Sequence, residues 1–299
     1  MQRIFNKIRS NLRIYRKDLE TKGIYWSIVY RLYKIPMMRF FLTPMVNMLK
    51  PSWLTIQGNK FYIDKSDTTV SQELILSGKW EDFESEVFKK NINVGDTVVD
   101  VGAHIGYYTL IAAKLVGING KVFAFEPEPK NFKLLKKNVE VNGYKNVVLI
   151  KKAISTKSGK SNLFINKENT GDHRIFASNH QRSSIIVDST TLDDFFKDKK
   201  KKIHLVKMDI QGAEMDALVG ARNVLKESGE LKLITEFWPR GLQRSGKSAK
   251  KFLDLLQKNS FKIYGIDEIK RELKPMTKKR LLLSYSVQRD DFTNLLCIR

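Results

Sequence analysis

The 299-residue chain has a single cysteine, Cys297, which excludes an internal disulfide and a cysteine-built metal cluster. That residue stands in the apolar run Leu295-Leu296-Cys297-Ile298, as a buried strand residue would. Acidic residues are scarce. Against 54 Lys and Arg there are 32 Asp and Glu, a formal net charge of +22. Such a field draws polyanions and anionic lipid head groups, although a solvated lysine-rich surface has the same composition. Arg3, Lys7, Arg9, Arg13, Arg16 and Lys17 interrupt any early apolar core, so no secretory signal is expected and the chain reads as cytoplasmic. Also missing is an apolar run of the roughly twenty residues that a membrane span needs. Between Ile24 and Leu49, Arg31, Lys34, Pro36 and Arg39 break a segment rich in Tyr25, Trp26, Phe40 and Phe41. A basic, aromatic-rich segment of this kind suits a helical cap or partner-binding element. Peripheral contact with an anionic membrane, at its inner face, is the competing role. Internal repeats are absent.

The organisation follows from where apolar runs alternate with helical patterns. Residues 1–70 read as a basic extension, helical and then carrying a short hairpin over Trp53 to Asp64; residues 71–299 read as one domain. Glu73 to Lys90 reads as a helix. Strands are expected at Thr97–Val101, Lys121–Glu126, Val147–Ile150, His204–Asp209, Leu231–Phe237, Phe261–Ile266 and Asn294–Ile298. Helices are expected between them, among them Ala213 to Lys226. This alternation argues an α/β fold with a doubly wound, mostly parallel sheet, the last two strands closing it as an antiparallel pair. Lys151 to Lys202 breaks the rhythm and reads as a β-rich insertion after the third strand. It ends at Thr190-Thr191-Leu192-Asp193, where a capped helix begins.

The run Val99-Asp100-Val101-Gly102-Ala103-His104-Ile105-Gly106 is an apolar strand ending in an acid and a glycine turn. The next apolar run stops on Phe125-Glu126-Pro127. Glycines let backbone approach a ligand closely, and an acid at the second strand end takes a ribose diol. A dinucleotide loop wants Gly-x-Gly-x-x-Gly, with a pyrophosphate on the helix N-terminus. Here the middle glycine is His104, and the leading Asp100 is a poor neighbour for a pyrophosphate. S-adenosylmethionine (SAM) has an ammonium, a sulfonium and a ribose diol but no phosphate, so the pattern favours it over NAD. Two more acids end strands: Asp209 in Lys207-Met208-Asp209-Ile210-Gln211-Gly212-Ala213-Glu214, and Glu236 in Thr235-Glu236-Phe237-Trp238. From adjacent strands Asp209 and Glu236 would face one crevice. There they could share a divalent cation such as Mg, or one could act as general base. Glu214 has the plainer reading of a loop tie. His204 opens its strand at the far end of the sheet and reads as structural, whereas His173 lies on the insertion.

Together these segments, with Thr191-Leu192-Asp193 and the loop Asn169-Thr170-Gly171-Asp172-His173-Arg174, resemble the FkbM family of SAM-dependent methyltransferases. The resemblance implies a seven-stranded class I methyltransferase sheet and, in most members, O-methylation of hydroxyls on sugars or natural products. Carried onto this chain it implies that Asp100, Gly102, Ala103, His104 and Gly106 shape the methionine end of the cofactor pocket. Glu126, beside Pro127, would take the ribose hydroxyls, and Ala153 and Ile154 would pass near the adenine. Methyl transfer to an alcohol needs in-line approach and removal of a proton. The candidates are ranked Asp209, Glu236, His173. The expected acceptor is a hydroxylated glycan, glycolipid or small metabolite.

Two rivals stand beside that reading. The charge of +22 motivates an RNA methyltransferase, but an Asn-Pro-Pro-Tyr type loop and an RNA-binding appendage are both missing. The run Lys197-Asp198-Lys199-Lys200-Lys201-Lys202 lacks aromatic interleaving and reads as a solvated loop. A membrane-associated binding protein that keeps SAM as a structural ligand would have no need for Asp209 and Glu236 together.

Overall fold

The computed structural model describes residues 50–299 without 168, 178–181 and 200, together with residues 31, 32, 35, 37, 38 and 41. The expected helical extension and its membrane role therefore lie almost wholly outside the described residues. Among those described, no helix is long and apolar enough to cross a membrane.

The chain divides into two compact units, Met1–Trp80 and Glu81–Arg299. In the first, β1 (Trp53–Ile56) and β2 (Asn59–Tyr62) form the expected antiparallel hairpin. Its two-residue turn, Gln57-Gly58, has φ of 51° and 79°, the doubly left-handed geometry that matches strand twist. Helix α1 (Val70–Ser77) follows and stops at Gly78, where φ is 70° and the amide donates to Leu74 O. The helix expected over Glu73 to Lys90 is thus two helices. The second, α2 (Asp82–Lys90), belongs to the other unit.

In that unit, β3 (Thr97–Val101), α3 (Tyr107–Val116), β4 (Lys121–Phe125), α4 (Pro129–Val141) and β5 (Val147–Ile150) alternate as read. The insertion then forms its own three-stranded sheet from β6 (Ala153–Ile154), β7 (Gly159–Phe164) and β8 (Ser184–Thr190), in the order β6-β8-β7. The cap at Thr191 is as expected: its hydroxyl accepts from the Asp194 amide and opens α5 (Leu192–Phe196). Strand β9 (Leu205–Met208) leads to α6 (Glu214–Val219) and α7 (Arg222–Glu227). A single helix was expected there. The break falls at Gly220, where an added Cβ would lie 2.3 Å from Ser155 O, so the insertion presses directly on the backbone. Then come β10 (Lys232–Phe237), α8 (Pro239–Arg244), α9 (Ala249–Lys258), β11 (Lys262–Asp267), β12 (Glu272–Pro275), α10 (Lys278–Ser284) and β13 (Thr293–Ile298).

The main sheet runs β12-β11-β13-β10-β9-β3-β4-β5 among the described residues. Strands β10, β9, β3, β4 and β5 pair in parallel, and β13 enters antiparallel between β10 and β11. These are the seven expected strands. The eighth, β12, is a short edge strand whose mixed burial left no apolar run to read. Val99, Val101, Phe123, Phe125, Val206, Met208 and Leu233 bury one face of the sheet in a continuous core. Cys297 is buried in the same core, as read.

Candidate active site

The C-terminal ends of β3, β4 and β9 meet in one cleft, where open α/β sheets bind their ligands. Its wall is built first by the turn after β3. Gly102 adopts φ of 85°, and its amide and that of Ala103 donate to Phe125 O at 3.0 and 2.9 Å, binding the turn to the end of β4. A Cβ on Gly102 would lie 2.1 Å from Asp209 O. Only glycine lets the turn lie so close to the end of β9.

Glu126 follows β4 and faces the cleft although it is 4% exposed. Its Oε2 accepts from the His104 amide at 2.8 Å and its Oε1 from the Glu128 amide at 2.9 Å. Burial pushes its carboxyl up to about 8 against the pull of those two amides. Once ionised, each oxygen keeps a lone pair for a hydroxyl donor, the pair of acceptors that a vicinal diol requires. The insertion roofs the cleft. Thr170 Oγ1 lies 2.9 Å from His104 Nε2, and Thr170 O accepts from Asn131 Nδ2 at 3.1 Å. Ala153, Ile154, Leu163 and Ile175 give that side an apolar lining that suits a purine.

Of the residues expected to hold a cofactor, Gly102, His104, Glu126, Pro127, Ala153 and Ile154 line the cleft. Asp100, Ala103 and Gly106 are not among its lining residues. Asp100 is buried behind the turn, where Oδ2 accepts the Thr109 hydroxyl at 2.5 Å and burial pushes its carboxyl up to about 6. Its place is under the loop, outside the lining of the cleft. Gly106, at φ of 98°, opens α3 with Leu135 against its Cα.

Asp209 and His173 line the cleft and Glu236 does not. His173 Nδ1 accepts from the Asn166 amide at 3.1 Å. Asp209 Oδ1 accepts from Gln211 Nε2 at 2.9 Å, while its Oδ2 lies 3.7 Å from Lys207 Nζ. Glu236 is buried, and burial followed by repulsion from Asp209, Glu214 and Glu81 drives its carboxyl well above the ordinary range. Asp209 faces the Lys207 ammonium and Glu236 does not line the cleft beside it, an arrangement that does not fit a shared divalent cation. Among the described residues no group of three His, Cys, Asp or Glu side chains could hold one. Glu214 ties the loop, accepting from the Ile210 and Gly212 amides. His204 lies at the far end of the sheet and accepts from the Thr97 amide at 2.9 Å.

Sequence reasoning missed the group behind Asp209. Lys207, 1% exposed, points off the core face of β9, and its Nζ lies 2.9 Å from Glu84 Oε1 on α2. Its charge lies 5.0 Å from the ring centroid of Tyr108, whose hydroxyl donates to Glu81 at 3.1 Å. Burial opposes charge on Lys207, but attraction to Glu84, Asp209 and Glu81 outweighs it and holds the ammonium above its ordinary value. Burial and the neighbouring Glu84 push Glu81 up to about 8. The signal was present: a lysine within Leu205-Val206-Lys207-Met208 interrupts a strand that should be apolar throughout.

The family model of the Methyltransferase FkbM domain matches residues 100–263. "Methyltransferase 1" of Beauveria bassiana is 26% identical over 143 residues, 41% of this chain and 57% of that protein. The protein-L-isoaspartate O-methyltransferase of Methanococcoides burtonii is 37% identical over 59 residues, 20% of this chain and 29% of that protein. The matched stretch thus spans less than two thirds of either relative. Similar solved structures include a SAM-dependent O-methyltransferase from Thermotoga maritima. It is 13% identical, with 83% of this chain and 77% of that one covered at a TM-score of 0.41. Another is fibrillarin from Aeropyrum pernix in complex with SAM, 10% identical over 72% of this chain and 74% of that one, TM-score 0.42.

Proposed function

The chain belongs to the FkbM methyltransferase family, and from that premise we propose that it transfers the methyl group of SAM to a hydroxyl of a glycan, glycolipid or small metabolite. The observation that carries the reading is Glu126. It is a buried carboxylate at the end of β4 with each oxygen already set by a backbone amide, facing a cleft walled by a glycine turn.

In this reading Glu126 takes the ribose diol, the turn from Gly102 to His104 follows the methionine part, and Ala153, Ile154 and Ile175 sandwich the adenine. SAM supplies an electrophilic methyl carbon, whose bond to sulfur breaks as the acceptor oxygen attacks, with S-adenosylhomocysteine leaving. Asp209 receives the hydroxyl proton on its cleft-facing carboxylate, held in place by Gln211 Nε2. Lys207 and Glu84 fix the strand end from behind. Glu236 stays out of proton transfer because it does not line the cleft. His173 orients the acceptor from the roof. No step passes through a divalent cation.

Calorimetric titration with SAM tests the reading, repeated on Glu126→Ala and Asp100→Ala. Binding that Glu126→Ala removes and Asp100→Ala weakens supports it. A wild type that binds NAD and not SAM refutes it.

A further inference from the structure

Three arginines converge where the insertion meets the end of β10. Arg174 is 5% exposed, and its guanidinium lies 4.8 Å from the ring centroid of Trp238, the residue that follows β10. Arg244, in the last turn of α8, lies 5.7 Å from the same ring. Arg182 comes in through Asp172, whose carboxylate accepts from Arg174 Nε and from an Arg182 Nη, each at 2.6 Å. Asp172 is the anion of this group, and the nearby Asp290 is taken by Arg240 and by the Trp238 indole. Two guanidiniums thus share one carboxylate while Arg244 adds a third positive charge beside the same indole, in a chain of net charge +22.

Nη1 of Arg174 is buried and has no hydrogen-bond partner. An orphaned donor on a buried cation is costly, since water has been removed and nothing replaces it. Burial, with repulsion from Arg182 and Arg244, pulls the Arg174 guanidinium below its ordinary value in spite of Asp172. Asp172 meets Arg174 at Nε and leaves its Nη1 unmet, and a planar guanidinium beside an aromatic face selects an oxyanion.

Its position says which ligand. Thr170, four residues before Arg174, closes the roof of the cleft on His104, and His173 and Ile175 on either side of Arg174 line that cleft. Helix α8 packs backbone to backbone on the loop that carries Asp209: Ser245 Oγ donates to Gly212 O at 2.8 Å, and a Cβ on Gly212 would lie 2.7 Å from Gly241 C. The oxyanion subsite therefore adjoins the loop of the candidate base.

We propose that Arg174, Arg244 and Arg182, beside Trp238, bind a phosphate, sulfate or carboxylate group of the acceptor. The substrate is then an anionic hydroxylated glycan or metabolite. This rests on the methyltransferase reading for its use but not for the binding itself. A single enclosed oxyanion fits better than a nucleic-acid backbone, because Arg174 is buried rather than part of an exposed basic stripe.

The test is calorimetric titration of the full chain with inorganic phosphate and then pyrophosphate at constant ionic strength. It is run on the wild type, Arg244→Gln and Arg174→Gln, with SAM affinity measured on each. The expected result is one binding event that weakens at least about tenfold in either variant, the loss of a charge-assisted hydrogen bond, with SAM affinity unchanged. Phosphate binding that survives both substitutions, or none at millimolar phosphate in the wild type, overturns the subsite. If Arg174→Gln does not fold, the half-buried Arg244→Gln decides alone. Phosphate binding that needs Arg244 in a protein that fails to bind SAM keeps the subsite and overturns the methyltransferase reading; SAM binding without phosphate binding does the reverse. Displacement of phosphate by a single-stranded RNA oligonucleotide, with a steep salt dependence, would overturn the acceptor class in favour of a polyanion.

Discussion

Lys207 Nζ lies 2.9 Å from Glu84 Oε1, both side chains essentially without solvent, so one buried ion pair joins helix α2 to the strand whose end carries Asp209. Breaking one side of such a pair leaves an uncompensated buried charge, whereas replacing both by neutral groups removes the penalty.

Lys207→Met is accordingly expected to destabilise the protein by about 3–5 kcal/mol. The double variant Lys207→Met/Glu84→Gln recovers most of that loss. Urea unfolding of the two single variants and the double variant measures the coupling as a mutant cycle. Additive effects would show that the pair is not coupled.

The pH dependence of stability has a definite sign. Glu126 titrates near 8 and Asp100 near 6 because both are buried, above the ordinary values of 4.5 and 3.8. A carboxyl that holds its proton more tightly folded than unfolded adds stability below the unfolded value and loses it as pH rises through the folded one. Without ligand, the Glu126 contribution is therefore present below about pH 4.5 and lost by about pH 8. Glu126→Gln should flatten the fall by up to about 1.4 kcal/mol per pH unit in that window. Denaturant curves of wild type and variant across the window are the check, and parallel pH profiles would contradict it.

Gly102→Ala brings a Cβ to within 2.1 Å of Asp209 O at a φ of 85°. Strain of this kind costs about 1–3 kcal/mol, and relief requires the turn and the end of β9 to separate. Thermal unfolding should report the lost stability, and calorimetry a SAM affinity at least about tenfold weaker. Normal affinity in a folded variant would mean that the turn does not touch the ligand.

Asp209→Asn keeps the acceptor atom for Gln211 Nε2 but removes the base. Formation of S-adenosylhomocysteine with a panel of phosphorylated, sulfated and neutral hydroxylated acceptors should fall by about 10²–10⁴. SAM affinity should stay near the wild-type value. Full activity in the variant would pass the proton to His173.

The sheet was legible because parallel strands covered on both faces are continuous apolar runs, and β3, β4 and β9 each end on a turn that sequence marks with Gly or an acid. The break at Gly220 was not, because what that glycine accommodates is Ser155 O of the insertion, distant in sequence. The glycine turn and Glu126 could be read because the spacing of two adjacent strands fixes them locally. The roof could not: His104 and Thr170 meet across 66 residues, and no local pattern encodes that pairing. The position of Asp100 beneath the turn was not legible either, because an acid ending a strand has the same sequence signature whether it lines the cleft or accepts from Thr109 under the loop.

The roof loop has a consequence for the order of events. Thr170 holds it to the glycine turn and Asn131, and four residues on Arg174 holds it to Trp238. In the proposed reading one short stretch of backbone would be answerable to two ligands. A shared element makes their affinities reciprocal: whatever factor the methyl donor contributes to capture of the acceptor, the acceptor returns to the donor. On the proposed function, turnover would then end with the loop giving up the methylated product and the spent donor as linked departures, and product release rather than methyl transfer would set its pace when that linkage is strong.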